Sequence, residues 1–218
     1  MILAMHFEAV IFDCDGTLVD SEVLGIQVLV ECVAELGLAF PLEEAVARFT
    51  GAKMADSIAI IEQRLGRPVP VDFVSEMRRR MAEIFREQLQ PVEGVGSVLQ
   101  SLSIPYCVAS NGPREKMEVS LHVTGLLPYF QGRIFSAYDI GSWKPEPGMF
   151  LHAAQALGVA PERCAVVEDS ILGVQAGKAA GMTVFGYDPR GDGVILSEAG
   201  TQTFSSMAEL LPLMGFDG

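Results

Sequence analysis

The sequence predicts an α/β protein: a parallel five-stranded sheet with helices on both faces and one all-helical insertion. Five short runs of β-branched and aromatic residues each lead into a polar segment. Helix-like stretches separate the later runs, whereas residues 20–89 carry helical periodicity alone. Because parallel strands need long crossover connections, this alternation favours a doubly wound, Rossmann-like sheet.

The elements of the predicted sheet follow one another in a regular order. Each apolar run is too short for a helix, as is typical of buried parallel strands. The predicted strands are residues 8–12, 105–109, 133–136, 164–167 and 182–187. The predicted crossover helices are residues 113–123, 147–157 and 170–180, which are followed by Gly125, Gly158 and Gly181 as helix-ending residues.

The insertion has four predicted helices, at residues 21–36, 41–49, 54–65 and 72–89. Turn residues at 18–20 and 90–94 flank it and indicate hinges. We therefore expect two domains. Residues 1–19 and 90–218 form the α/β core, and residues 20–89 form the helical domain.

Composition and charge exclude several classes of function. The chain has 218 residues, 50% of them hydrophobic, and its 15 basic and 28 acidic residues give a net charge of −13 that repels nucleic acid. Its apolar runs are shorter than the roughly 20 residues of a membrane span, and the N-terminus shows no secretion signal. The four cysteines are widely spaced, without a C-x-x-C motif. We expect a cytoplasmic monomer or weak dimer that binds neither nucleic acid nor membranes.

Polar and charged side chains follow the predicted strands. The carboxyl ends of parallel strands share one edge of the sheet, where ligands bind. The residues expected there are Asp13, Asp15, Ser110, Asn111, Lys144, Glu168 and Asp169. Each by itself is explained by a turn or a helix cap, but four carboxylates at one edge repel each other unless a cation lies among them. Because all the donors are oxygen atoms, the predicted cation is Mg²⁺.

A metal cation beside Lys144 would attract the negatively charged oxygens of a phosphoryl group, so these residues predict a phosphoryl-binding site. Further donors come from Ser110, Asn111 and the backbone of Gly16–Thr17. Asp13 closes the first strand and is the predicted nucleophile, forming an aspartyl-phosphate. Asp15 emerges on the same side if the backbone stays extended, and would protonate the leaving oxygen before accepting a proton from water.

These segments resemble, in order, the four motifs of the haloacid dehalogenase superfamily. They are Asp13-Cys14-Asp15-Gly16-Thr17-Leu18, Ser110-Asn111, Lys144-Pro145 and Glu168-Asp169-Ser170. The insertion is similar to the cap of the phosphoglycolate phosphatase and β-phosphoglucomutase branch. The resemblance implies that Mg²⁺ is held by Asp13, Asp169 and the carbonyl of Asp15, with Glu168 bound directly or one shell further out.

In finer detail, residues 110–113, 138–145 and 51–53 resemble bacterial 6-phosphogluconate phosphatases. We therefore expect a phosphatase of a small phosphorylated metabolite, a sugar or sugar-acid phosphate such as 6-phosphogluconate. Lys53 is the candidate contact to the leaving group, and the alternative is a solvated surface lysine.

Three alternative functions stay open at this point. A hexose-phosphate mutase of the β-phosphoglucomutase type is disfavoured because such enzymes carry an arginine where this chain has Met54. A receiver-like signalling module, phosphorylated on an aspartate, is disfavoured by Asp15 and by the helical insertion. A catalytically inactive binding protein would show no Mg²⁺-dependent turnover of any phosphoester.

Overall fold

The computed structural model describes residues 6–50, 52–189, 196 and 201–216. The chain divides into two compact units. One, the α/β unit, combines Met1–Val19 with Pro91–Gly218, and the other, the helical unit, is Asp20–Gln90. Within the described residues, no helix has the length and apolar character that crossing a membrane requires.

The helical unit contains four α-helices: α1 (Glu22–Glu35), α2 (Leu42–Phe49), α3 (Met54–Leu65) and α4 (Phe73–Gln88). Helix α1 packs against α2 and α4. The apolar faces of the four helices form a core of their own, with Leu29 and Val33 of α1 among Phe49, Ile61 and Met77. This unit thus buries its own hydrophobic residues, as a compact domain does.

The α/β unit is built on a fully parallel sheet in the order β3-β2-β1-β4-β5-β6. The strands are β1 (Ala9–Phe12), β2 (Tyr106–Ser110), β3 (Ile134–Ser136), β4 (Cys164–Glu168), β5 (Thr183–Tyr187) and β6 (Gln202–Phe204). Strand β1 lies between β2 and β4, so the residues after these three strands are neighbours. The predicted doubly wound sheet is confirmed.

The predicted count of five strands is wrong, because β6 adds a sixth at the edge of the sheet. It has three residues and pairs with β5 alone. Its first residue, Gln202, is exposed. A run of three residues is too short to show a period-2 pattern, so it gave no sequence signal.

Six α-helices belong to the described part of the α/β unit: α5 (Val95–Ser101), α6 (Arg114–Val123), α7 (Ala137–Ile140), α8 (Gly148–Leu157), α9 (Ile171–Ala179) and α10 (Met207–Leu213). Residues 137–143, which follow β3, begin with the single turn of α7. The Ser136 hydroxyl accepts a hydrogen bond from Tyr138 N and caps this turn. Gly141 ends it in a left-handed conformation, with φ of 76°.

The two faces of the central strand pack against different layers. On one face, Ile11 belongs to the cluster that contains Met149 and Phe150 of α8 and Val174 of α9. On the other, Phe12 packs edge to face against Tyr106 and Phe130. Because successive side chains of a strand point to opposite faces, both faces of β1 are buried, as in a doubly wound fold.

Candidate active site

The loop after β1 places two carboxylates at the carboxyl edge of the sheet. Asp13 N donates to Val167 O at 2.9 Å, so the pairing with β4 extends one residue beyond the strand. Gly16 then reverses the chain with φ of 77°, and its N donates to Val19 O at 2.8 Å. A Cβ at Gly16 would lie 2.0 Å from Asp169 Oδ2, so only glycine allows this loop to approach the residue after β4.

Lys144 reaches this edge from the segment between α7 and α8. Its Nζ donates to Asp13 Oδ1 at 2.5 Å and also to Glu168 Oε1. Its backbone N donates to Asn111 Oδ1 at 2.9 Å, which ties the loop after β2 to the lysine segment. A buried ammonium group is thereby held against two buried carboxylates.

The Glu168 carboxylate is enclosed by the start of α9. Ser170 donates to Glu168 Oε2 twice, from its N and from its Oγ, both at 2.9 Å. The same Oγ accepts from Gly173 N at 3.0 Å, so Ser170 is also the N-cap of the helix. A Cβ at Gly173 would lie 1.8 Å from Glu168 Cδ. The helix can cover the carboxylate only because this position is glycine.

Burial dominates the electrostatics of the nucleophile candidate. It raises the pKa of Asp13 to about 7; the Lys144 ammonium opposes this rise, and Glu168 and Asp15 add to it. Burial disfavours the charge on Lys144, yet Asp13 and Glu168 together raise the pKa of this lysine above its ordinary value. A cation bound beside Asp13 would favour its carboxylate form.

Three carboxylates come close enough to share a metal ion. One oxygen from each of Asp13, Glu168 and Asp169 lies within 4.8 Å of the other two. Thr17 Oγ1 donates to Asp169 Oδ1 at 3.1 Å and orients that side chain. Because every donor is a carboxylate oxygen, the set fits a hard cation such as Mg²⁺.

The structure brings most of the predicted site residues to this edge of the α/β unit. They are Asp13, Asp15, Gly16, Thr17, Ser110, Asn111, Lys144, Glu168 and Asp169. Ser110 is buried at the end of β2, and its Oγ accepts from Gly112 N at 3.1 Å. Lys53 belongs to the helical unit, where it is exposed and directly precedes α3. Gly51, part of the resemblance at residues 51–53, lies outside the described residues.

Sequence reasoning missed one site residue, Lys116 of α6. Its Nζ lies 2.7 Å from Asp15 Oδ1, and Asp15 raises the pKa of this lysine against the opposing effect of burial. Nothing in the spacing of the motifs pointed to it. The available signal was its place in the first turn of the helix that follows Ser110, since that helix begins at the same edge of the sheet.

Comparison with known proteins agrees with this geometry. The family of haloacid dehalogenase-like hydrolases matches residues 7–181. The 6-phosphogluconate phosphatase of Escherichia coli K12 is 39% identical over 216 residues, which covers 97% of this chain and 98% of that protein.

Solved structures also resemble nearly the whole chain. A hydrolase of the same family from Deinococcus radiodurans, solved with bound phosphate and sodium, has a TM-score of 0.80 and 34% identity, covering 97% of this chain and 98% of that one. A putative β-phosphoglucomutase from Thermotoga maritima has a TM-score of 0.78 and 28% identity, covering 96% and 99%. The resemblance predicted from the motifs is confirmed.

Proposed function

The chain belongs to the haloacid dehalogenase-like hydrolases, and from this premise we propose that it is a Mg²⁺-dependent phosphomonoesterase of a small phosphorylated metabolite. The observation that carries the proposal is the buried Asp13 carboxylate, held by Lys144 and close to Asp169. The similarity to the E. coli enzyme over nearly the full chain supports a sugar-acid phosphate such as 6-phosphogluconate as substrate.

The first half of the reaction transfers the phosphoryl group to the protein. An Asp13 carboxylate oxygen attacks phosphorus, the bond from phosphorus to the leaving oxygen breaks, and Asp15 donates a proton to that oxygen. Lys144, Ser110 and Asn111 bind the phosphoryl oxygens, helped by the backbone of Gly16–Thr17. Mg²⁺, when bound, would neutralise charge on those oxygens. Asp13, Asp169 and the carbonyl of Asp15 would hold it, with Glu168 as a direct or outer ligand.

The second half releases phosphate. Water attacks the phosphorus of the aspartyl-phosphate and gives a proton to Asp15, while the bond from phosphorus to the Asp13 oxygen breaks. Inorganic phosphate leaves and the Asp13 carboxylate is restored. Asp15 thus returns to its protonated state, and the cycle balances.

The choice of substrate is assigned to the helical unit, because the α/β unit contacts only the group that all phosphate esters share. Lys53 is the proposed contact to a carboxylate or hydroxyl of the leaving group. Its exposure before α3 leaves its ammonium open to a ligand. We also propose a cytoplasmic location, where the four free, buried thiols stay reduced.

A hexose-phosphate mutase is the second candidate, favoured by the likeness to the T. maritima structure. The two functions differ in their products. A phosphatase releases one inorganic phosphate for each ester consumed, whereas a mutase yields an isomerised sugar phosphate without net release.

The test is phosphate release from a panel of phosphorylated metabolites, with Mg²⁺ or with a chelator. Wild type should require the metal, and Asp13→Asn should lose at least about 10³-fold in turnover because the nucleophile is gone. Asp139→Asn is the matched control, since Asp139 is an exposed carboxylate that pairs with Arg114 at 2.8 Å. Lys53→Ala should change the ranking of the metabolites by rate of phosphate release, while the rate with an aryl phosphate stays the same. Asp13→Asn activity near that of wild type, or isomerisation without phosphate release, would overturn the phosphatase assignment.

A further inference from the structure

The ion pair between Lys116 and Asp15 has no part in the mechanism above. Lys116 is the third residue of α6, and its Nζ contacts Asp15 Oδ1 at 2.7 Å. Its side chain is 28% exposed and that of Asp15 is 22% exposed. At this partial burial an ion pair is less screened than at the surface and restrains both side chains.

Gly112 shows that Lys116 belongs to the same small volume as the proposed phosphoryl site. A Cβ at Gly112 would lie 3.5 Å from Ser110 Oγ, 3.6 Å from Lys116 Cδ and 3.8 Å from Asp15 Oδ2. The lysine stem, the phosphoryl-binding hydroxyl and the second oxygen of Asp15 therefore surround one point. Lys116 contacts Oδ1, whereas Oδ2 and Ser110 Oγ both lie within 4 Å of that point.

We propose that Lys116 is a positioning residue: its ammonium group anchors Asp15 through Oδ1 and so orients the carboxyl group that the proposed mechanism uses for proton transfer. The proposal rests on the proposed function, because it assumes the aspartyl-phosphate on Asp13. An ester whose leaving group departs without a proton needs Asp15 only for hydrolysis of the intermediate, so with such an ester the contribution of Lys116 falls on that step.

The experiment separates the two halves of the reaction with a nitrophenyl phosphate. Its phenolate leaves without a proton, so kcat/KM reports transfer to Asp13 alone, and the decay of the phosphoenzyme after rapid substrate removal reports hydrolysis. In Lys116→Met the decay should slow at least about tenfold while kcat/KM changes less than about threefold. Asp15→Asn should slow the decay further. A decay rate is read only from molecules that form the intermediate, so partly unfolded protein cannot imitate the effect.

Two further variants serve as controls. Lys116→Arg keeps the charge and should recover most of the decay rate. Arg114→Met removes a positive charge from the same helical turn, where Arg114 pairs with Asp139, and should leave both quantities unchanged.

Three results would overturn the inference: an unchanged decay in Lys116→Met, an equal fall in kcat/KM and in the decay rate, or a Lys116→Arg enzyme no better than Lys116→Met. Failure of the underlying mechanism looks different. If wild-type protein formed no phosphoenzyme, the aspartyl-phosphate proposal would fall, and this inference with it, before any variant was compared.

Discussion

The two units of the protein use the same kinds of charged residue in opposite settings. In the helical unit, Arg79 of α4 pairs with Glu76 at 2.7 Å, and their side chains are 56% and 41% exposed. In the α/β unit, Lys144 pairs with Asp13 at 2.5 Å, and their side chains are 4% and 10% exposed. The two distances are similar, and burial is what distinguishes the pairs.

Burial changes what an ion pair does. Water and salt screen an exposed pair, so removing one partner matters little. A buried pair has lost its hydration, so removing one partner leaves an uncompensated charge. The pairs of α4 are consistent with a solvated helix face. Lys144, Asp13 and Glu168 form a buried set of charges. Because buried ion pairs in proteins can often be replaced by hydrophobic residues without loss of stability, their presence is consistent with the proposed chemical role.

The largest expected difference in stability comes from removing the positively charged side chain of each ion pair. Lys144→Met should lower the free energy of unfolding by about 3 kcal/mol, because Asp13 and Glu168 would be left buried without their partner. Arg79→Met, its matched control, should leave the urea midpoint unchanged. Both are measured by urea unfolding in a metal chelator, since a bound cation would compensate the carboxylates. Equal shifts of the urea midpoint in the two variants would show that the buried and the exposed ion pair contribute alike to stability.

A smaller contrast comes from adding a methyl group at a helical glycine in each unit. Gly173→Ala should cost about 2 kcal/mol of unfolding free energy, because the new Cβ meets the enclosed Glu168 carboxylate. Gly25→Ala in α1 faces the flexible end of Met81 at 3.4 Å and should gain about 0.5 kcal/mol from helix propensity. Thermal unfolding compares the pair, and a neutral Gly173→Ala would show that Glu168 moves aside freely.

The smallest contrast concerns two buried helical serines. Among the described residues, Ser120 Oγ of α6 is buried without a hydrogen-bond partner, whereas Ser57 Oγ of α3 donates to Lys53 O at 3.3 Å. Ser120→Ala should raise the free energy of unfolding by about 1 kcal/mol, since it removes an unsatisfied hydroxyl. Ser57→Ala should lower it by about 0.5 kcal/mol. If Ser120→Ala proved destabilising, the hydroxyl would have to make a compensating interaction.

Several parts of the site could be read from the sequence because they are local. Asp13, Asp15 and Gly16 adjoin one apolar run, and the topology of a parallel sheet brings Ser110 and Asp169 to the same edge. Others depend on distances that no pattern encodes. A serine before a helix is typical of an N-cap, which Ser170 is, but no pattern shows that its hydroxyl also donates to Glu168. Strand β6 is too short to carry a pattern.

The amino-acid sequence by itself determined the parallel α/β architecture, the carboxylates at the strand ends and the family, because periodicity and motif order are properties of neighbours along the chain. Only the tertiary structure decided how the charges pair: Lys144 with Asp13 and Glu168, and Lys116 with Asp15. The physical reason is that a long flexible side chain pairs with an opposite charge that lies within its reach, and the strength of the pair depends on how deeply it is buried. Both are set by elements that lie far apart in sequence and are packed together only in the folded sheet.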